Sequence, residues 1–194
     1  DSPEPKQHHS MKKIKLHDKE FRLLIEASAI DLAVTGLAQR LNQDLKDEQP
    51  LFLSVLNGSF MFTSDLIKQI TIPETEISFI KIASYTGTCS TGTVRELIGF
   101  HKNIEGRTVV ILEDMIDSGK SMAYLLDLLK ARNPRKIYVA ALFYKPKALS
   151  CKIPVDYYAL SLENDFVVGH GLDYNDLGRN LPDLYILDQG EEKA

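Results

Sequence analysis

The sequence predicts an α/β fold in which helices flank a mainly parallel central sheet. Three observations predict it. Short apolar runs of strand length alternate with segments of helical periodicity. Two of the strand-to-helix passages are marked by glycine, at Asn57-Gly58-Ser59 and Asp117-Ser118-Gly119. One run, Thr108-Val109-Val110-Ile111-Leu112, is β-branched and apolar throughout, as expected for a strand covered on both faces of a parallel sheet.

In chain order, residues 1–10 are polar and Pro-containing and precede Met11. With the His8-His9 pair they read as a tag remnant, leaving 11–194 as a single domain. Ile30, Val34, Leu37, Leu41 and Leu45 recur at helical spacing, which predicts a helix over 28–46 with Ser28 at its N-terminal cap. Leu51–Leu56 is a strand, and Phe60–Ile70 is a helix after the glycine turn. Ile77–Ala83 is the next strand. The polar, hydroxyl-rich segment Tyr85–Thr93, with two glycines, cannot bury apolar area and is expected to be a mobile loop. Val94–Gly99 returns from it as a strand. After Thr108–Leu112, residues Glu113–Ser118 are expected to turn, Ser121–Lys130 to form a leucine-rich helix stopped by Arg132-Asn133-Pro134, and Ile137–Tyr144 to complete a second βαβ unit. Short strands and turns fill 156–188.

The chain has 194 residues, 44% hydrophobic and 26% charged, with a net charge of −4. That composition belongs to a folded globule with a sizeable core. The acidic balance argues against nucleic acid as the main partner, because a phosphate backbone needs a basic face. No run approaches the length of a membrane helix, and no leader is visible, so a cytoplasmic setting is expected. The two cysteines, Cys89 and Cys151, have no CxxC spacing and read as reduced thiols. His17, His101 and His170 lack metal-ligand spacing and read as structural or surface residues.

The chemistry concentrates in Glu113-Asp114-Met115-Ile116-Asp117-Ser118-Gly119-Lys120-Ser121. This segment joins the apolar strand to a helix, where parallel α/β folds present ligand sites. Free amides at a helix start, with the Ser118 and Ser121 hydroxyls, form a cradle of phosphate size. A triphosphate P-loop is excluded, since that motif needs glycine where Asp114 stands. Two carboxylates beside a monophosphate cradle suit a ribose 5-phosphate. The amides would take the phosphate, and Glu113 and Asp114 the ribose hydroxyls or a Mg²⁺ near them. The alternative, that these acids merely cap the strand, is disfavoured by their place directly after five apolar strand residues and before a glycine turn.

This segment is similar to the signature of the type I phosphoribosyltransferases, which use phosphoribosyl pyrophosphate, and within them it resembles the hypoxanthine-guanine branch. Four further segments match in order. Val55-Leu56-Asn57-Gly58-Ser59-Phe60-Met61-Phe62 is similar to the family's pyrophosphate loop, and Ser84-Tyr85 to the pair that opens its flexible loop. Phe143-Tyr144-Lys145 is similar to the base-reading segment, and Phe166-Val167-Val168-Gly169 with Leu172-Asp173-Tyr174-Asn175 to the base-stacking and metal segment. Arg179 falls where the family carries a late arginine.

The resemblance implies a small hood built from the N- and C-terminal segments, a Mg²⁺ cofactor and a homodimer or homotetramer. It implies transfer of 5-phosphoribosyl to hypoxanthine and guanine, giving the nucleotide and pyrophosphate. Asp117 would be the acid–base residue facing N7 of the purine. Lys145 would donate to the 6-oxo group and so reject adenine, which carries a donor there. Phe166 would stack on the base, the Val167 backbone would meet its exocyclic edge, and Asp173 would belong to the purine-binding set and also contact the metal with Glu113 and Asp114. Ser118, Gly119, Lys120 and Ser121 would hold the 5-phosphate. Asn57, Gly58 and Arg179 would hold pyrophosphate. Asn57 replaces a lysine frequent in the family, which removes one cation but not the amides. The family often has a cis peptide at the Leu56–Asn57 position. Ser84 and Tyr85 would close over the site to keep water from an oxocarbenium-like transition state. The competing readings are a sibling enzyme preferring xanthine or another base, and a nucleotide-sensing regulator of the same fold without turnover.

Overall fold

A computed structural model describes residues 12–82 and 100–190 in full, and between them only the backbone of three short strands, 85–86, 93–94 and 97–98. The elements follow in chain order: β1 (Lys13–Leu16), β2 (Lys19–Ile25), α1 (Ala27–Asp44), β3 (Leu51–Leu56), α2 (Phe60–Ile67), β4 (Glu76–Ile82), β5 (Tyr85–Thr86), β6 (Thr93–Val94), β7 (Leu97–Ile98), β8 (Thr108–Ile116), α3 (Lys120–Lys130), β9 (Lys136–Tyr144), β10 (Tyr157–Ser161), β11 (Val167–Val168) and β12 (Leu184–Leu187).

The main sheet has the order β10-β9-β8-β3-β4-β7, with every neighbouring pair parallel except the edge strand β7, which runs antiparallel to β4. The alternation of side chains along β8 sorts its residues between two cores. Val110 and Leu112 face α1 and α2, meeting Ile30, Val34, Leu37, Leu41, Phe62 and Leu66. Val109 and Ile111 face α3, meeting Met122, Leu125 and Leu129. All four β8 side chains are fully buried, which is why this strand reads as one continuous apolar run.

A second, four-stranded antiparallel sheet of order β1-β2-β12-β11 forms the hood from the N- and C-terminal segments. Its small core is Phe21, Val168 and Tyr185. The carboxylate of Asp183 joins hood to core, accepting from the Ala27 amide (2.7 Å) and pairing with Lys12 (2.7 Å).

Several expectations change. The N-terminal cap of α1 is Glu26 and makes no side-chain cap bond; Asp183, remote in sequence, takes the first amide instead of Ser28 or Asp31. The expected turn at Glu113–Ser118 begins later, because β8 continues through Ile116, paired with β9 as far as Ile116↔Tyr144. α2 ends at Ile67 rather than Ile70. Cys151 is disulfide-bonded rather than a free thiol; spacing along the chain does not report which groups approach in space. Cys89 lies outside the described residues, as do residues 1–10.

Candidate active site

The carboxyl ends of β8 and β9 and the loop after β3 converge at one end of the main sheet. A cleft of about 240 Å³ is lined by Glu113 to Met122. Gly119 adopts φ 80°, a left-handed value that favours glycine, and from it α3 begins at Lys120. The first amides of a helix have no intrahelical acceptors, so the start of α3 presents donors to this cleft. Asp117 is exposed there, with its Oδ1 accepting from the Ser118 amide at 2.6 Å. The Ser118 carbonyl accepts from the amides of Ser150 (3.0 Å) and Cys151 (3.2 Å), which anchors the turn from behind.

Glu113 and Asp114 sit at the floor. Burial, with the adjacent Asp114 carboxylate, raises the Glu113 pKa well above its usual 4.5. Burial also raises Asp114, against the opposing pull of its hydrogen bonds and of Arg179. A carboxylate pair held at this cost is poised to gain from a cation or from hydroxyl donors.

The loop after β3 meets this floor. Its Leu56–Asn57 peptide is cis, as the resemblance implies. A Cβ on Gly58 would overlap the Asp114 carboxylate, with Arg179 Nη1 next nearest at 3.4 Å. Only glycine allows the backbone so close. Arg179 donates through Nη1 to the Gly171 carbonyl at 2.8 Å and pairs through Nη2 with Asp173 at 3.2 Å. Gly58, Asp114, Arg179 and Asp173 thus form one connected group.

Across the cleft, Lys145 follows β9. It is 8% exposed, and its ammonium donates to the Asp165 carbonyl at 2.6 Å. Its amide donates to the Ile116 carbonyl at 2.9 Å, fixing it beside the Asp117 turn. Phe166 follows Asp165 and is 46% exposed; its ring meets Tyr174 edge-on at 5.8 Å and Phe21 at 6.2 Å. Val167 is buried and pairs with Ile186 in the hood.

The family model for the phosphoribosyl transferase domain matches residues 24–175. The chain belongs to the phosphoribosyl transferase family. It is 41% identical to the hypoxanthine-guanine phosphoribosyltransferase of Streptococcus pyogenes, over 86% of this chain and 92% of that protein. With the enzyme of that name from Dictyostelium discoideum it shares 39% identity, over 78% and 86% of the two chains. Among solved structures, the hypoxanthine phosphoribosyltransferase of Trypanosoma cruzi in a ternary substrate complex superposes with a TM-score of 0.81 at 30% identity, covering 92% of this chain and 96% of that one. A hypoxanthine-guanine phosphoribosyltransferase from Bacillus anthracis gives 0.78 at 29% identity, covering 90% and 98%.

In this phosphoribosyl transferase the sequence-expected residues fall into three groups. Glu113 to Ser121 share one cleft, Gly58 and Arg179 join it through Asp114, and Lys145 with Phe166 and Val167 stands on the hood side. Asp173 is held by Arg179. Among the described residues, no three His, Cys, Asp or Glu side chains converge as a metal cage. Ser84 and the Tyr85 side chain lie outside the described residues.

Sequence reasoning missed the supports. Ser54 is fully buried in β3, and its hydroxyl bonds those of Ser59 (2.6 Å) and Thr63 (2.7 Å), tying the loop after β3 to the strand and to α2. A serine inside the apolar run 51–56 was the available signal. His170 is buried as well, with partners on both ring nitrogens.

Proposed function

We propose that this phosphoribosyl transferase moves 5-phosphoribosyl from phosphoribosyl pyrophosphate to hypoxanthine and guanine in the cytoplasm, releasing the nucleotide and pyrophosphate. The observation that carries the base assignment is Lys145: a buried ammonium aimed at the lip that Asp165 and Phe166 form, beside the Asp117 turn. A fixed donor there complements a 6-oxo oxygen and opposes the 6-amino group of adenine.

In the proposed reaction, N9 of the base attacks C1 of the ribose and the bond to pyrophosphate breaks. The ring proton leaves from the N7/N9 system, and Asp117 accepts or holds it at N7. Ser118, Gly119, Lys120 and Ser121 grip the 5-phosphate through the helix start. Glu113 and Asp114 take the ribose hydroxyls. Gly58 and Asn57 offer amides, and Arg179 its guanidinium, to pyrophosphate. Phe166 stacks on the base, and the Val167 backbone meets its edge.

The residues fit Mg²⁺. It is a hard cation commonly held by one or two carboxylates with phosphate and water oxygens completing the shell, and the buried Glu113–Asp114 pair supplies such oxygens. Asp173 is the third candidate contact, once Arg179 turns to pyrophosphate. When bound, the ion would neutralise charge on the leaving pyrophosphate. A homodimer or homotetramer is the proposed assembly. Ser84 and Tyr85 are proposed to close over the bound substrates.

Steady-state turnover with hypoxanthine, guanine, xanthine and adenine, each with phosphoribosyl pyrophosphate and Mg²⁺, tests this reading. Efficient use of hypoxanthine and guanine with adenine rejected is expected. Adenine turnover, or xanthine preferred over both, would overturn the base assignment; no turnover with any base would favour the regulator.

A further inference from the structure

His170 is held more completely than a filler of core space requires. It is 3% exposed and sits at φ 47° between Gly169 (φ 108°) and Gly171 (φ 103°), a run of left-handed residues uncommon for any side chain but glycine. Its ring spans two elements: Nδ1 lies 2.7 Å from the Pro182 carbonyl oxygen, and Nε2 lies 2.8 Å from Asp65 Oδ2 on α2. Its amide donates to the Leu181 carbonyl at 2.7 Å. A carbonyl oxygen can only accept, so Nδ1 donates to Pro182, and Nε2 is left to face the Asp65 carboxyl.

The turn fixed in this way touches the loop after β3. A Cβ on Gly171 would overlap the Gly58 carbonyl oxygen. The Gly171 carbonyl, in turn, accepts from Arg179 Nη1 at 2.8 Å. α2, which carries Asp65, begins directly after Asn57-Gly58-Ser59. One imidazole therefore pins together the two segments that face each other as Gly58 and Arg179.

We infer that His170 is a positioning residue: with Asp65 it sets the separation of Gly58 and Arg179 and thereby the grip on pyrophosphate. It is buried and is not among the residues that line the cleft. The inference rests on the proposed pyrophosphate role of Gly58 and Arg179. It separates the two sides of the site, because Lys145 and Phe166 make no contact with this brace among the bonds that hold them.

The test compares His170→Phe, Asp65→Ala and their double variant with the wild type. Three quantities are measured: KM for phosphoribosyl pyrophosphate, KM for hypoxanthine, and binding of inorganic pyrophosphate with Mg²⁺ by calorimetry. Each single change is expected to weaken donor KM and pyrophosphate binding about tenfold, the scale of one misplaced charge-assisted hydrogen bond, while KM for hypoxanthine stays within about twofold. The double variant is expected to be no worse than either single one, since one link is cut twice. His170→Gln, which keeps a donor, should recover part of the loss. Should His170→Phe fail to fold, Asp65→Ala carries the same comparison. Unchanged donor KM in a folded variant, or equal losses for donor and base, would overturn the inference. Wild-type turnover is the control that separates the two ideas: its absence would defeat the proposed reaction, whereas pyrophosphate binding in Asp65→Ala would still decide the brace.

Discussion

The two sheets of this protein are held by different forces. The main sheet is dry. Leu51, Leu53, Val109, Val110, Ile111, Leu112 and Val139 are fully buried, with helices on both faces. The hood has a core of three buried residues and depends on polar ties: Lys12–Asp183 (2.7 Å), Lys13–Asp188 (2.9 Å) and the Tyr174 hydroxyl donating to Asp18 (2.6 Å). The difference matches what each presents. The proposed phosphate cradle lies at the ends of strands that cannot shift without opening the core. The proposed base side joins Lys145, at the end of β9, to Phe166 beside the hood, whose ties to the rest of the molecule are few and partly exposed.

Three changes sharpen or break that comparison. The largest effect is expected from Asp117→Asn, at the turn between the dry strand and α3. It should lower kcat about 10²–10⁴-fold, the usual contribution of a positioned acid–base group, with little change in KM. Steady-state kinetics checks it, and an unchanged kcat removes Asp117 from the chemistry. Next is Leu112→Ala, which empties part of the core facing α1 and α2. A loss of about 2–5 kcal/mol is expected from denaturant unfolding. A loss below about 1 kcal/mol would contradict the picture of a rigid packed sheet.

The smallest effect belongs to the hood. Asp183→Ala removes the acceptor of the Ala27 amide and should cost about 1 kcal/mol, as for a lost helix cap. Its pH counterpart has a definite sign. Lys12 first, and then the Ala27 amide, lower the Asp183 pKa below its ordinary 3.8. Its contribution is therefore present above 3.8 and is lost as pH falls through the lower folded-state value. Hydrogen exchange of hood amides should rise in that acid range before that of β3, β8 and β9. Exchange rising first in the main sheet would reverse the comparison.

How much was legible in the sequence differs between the same two regions. β3 and β9 could be read because a strand buried on both faces is apolar at nearly every position, and their observed limits lie close to the expected ones; for β8 the same rule found the start at Thr108 but not the end. The segment that lines the cleft was legible because its parts are contiguous, from Glu113 to Ser121. The end of β8 was misplaced because Glu113 and Asp114 look like turn residues. Pairing with β9 keeps them in the strand and leaves their carboxyls at the floor of the cleft. The cap of α1 was misassigned for a related reason, since its acceptor comes from Asp183, 156 residues away.

The sequence by itself determined the alternation of strands and helices, the glycine-marked passage from β8 into α3 that lines the cleft, and the family likeness. Each is written in residue chemistry over a few neighbouring positions, where periodicity and turn propensity act. Only the tertiary structure decided that Gly58 meets Asp114 and Arg179, that Lys145 turns toward Asp165, and that His170 bonds Asp65 across 105 residues. Such contacts depend on how packed elements bring distant backbone together, and no local pattern in the chain encodes that distance.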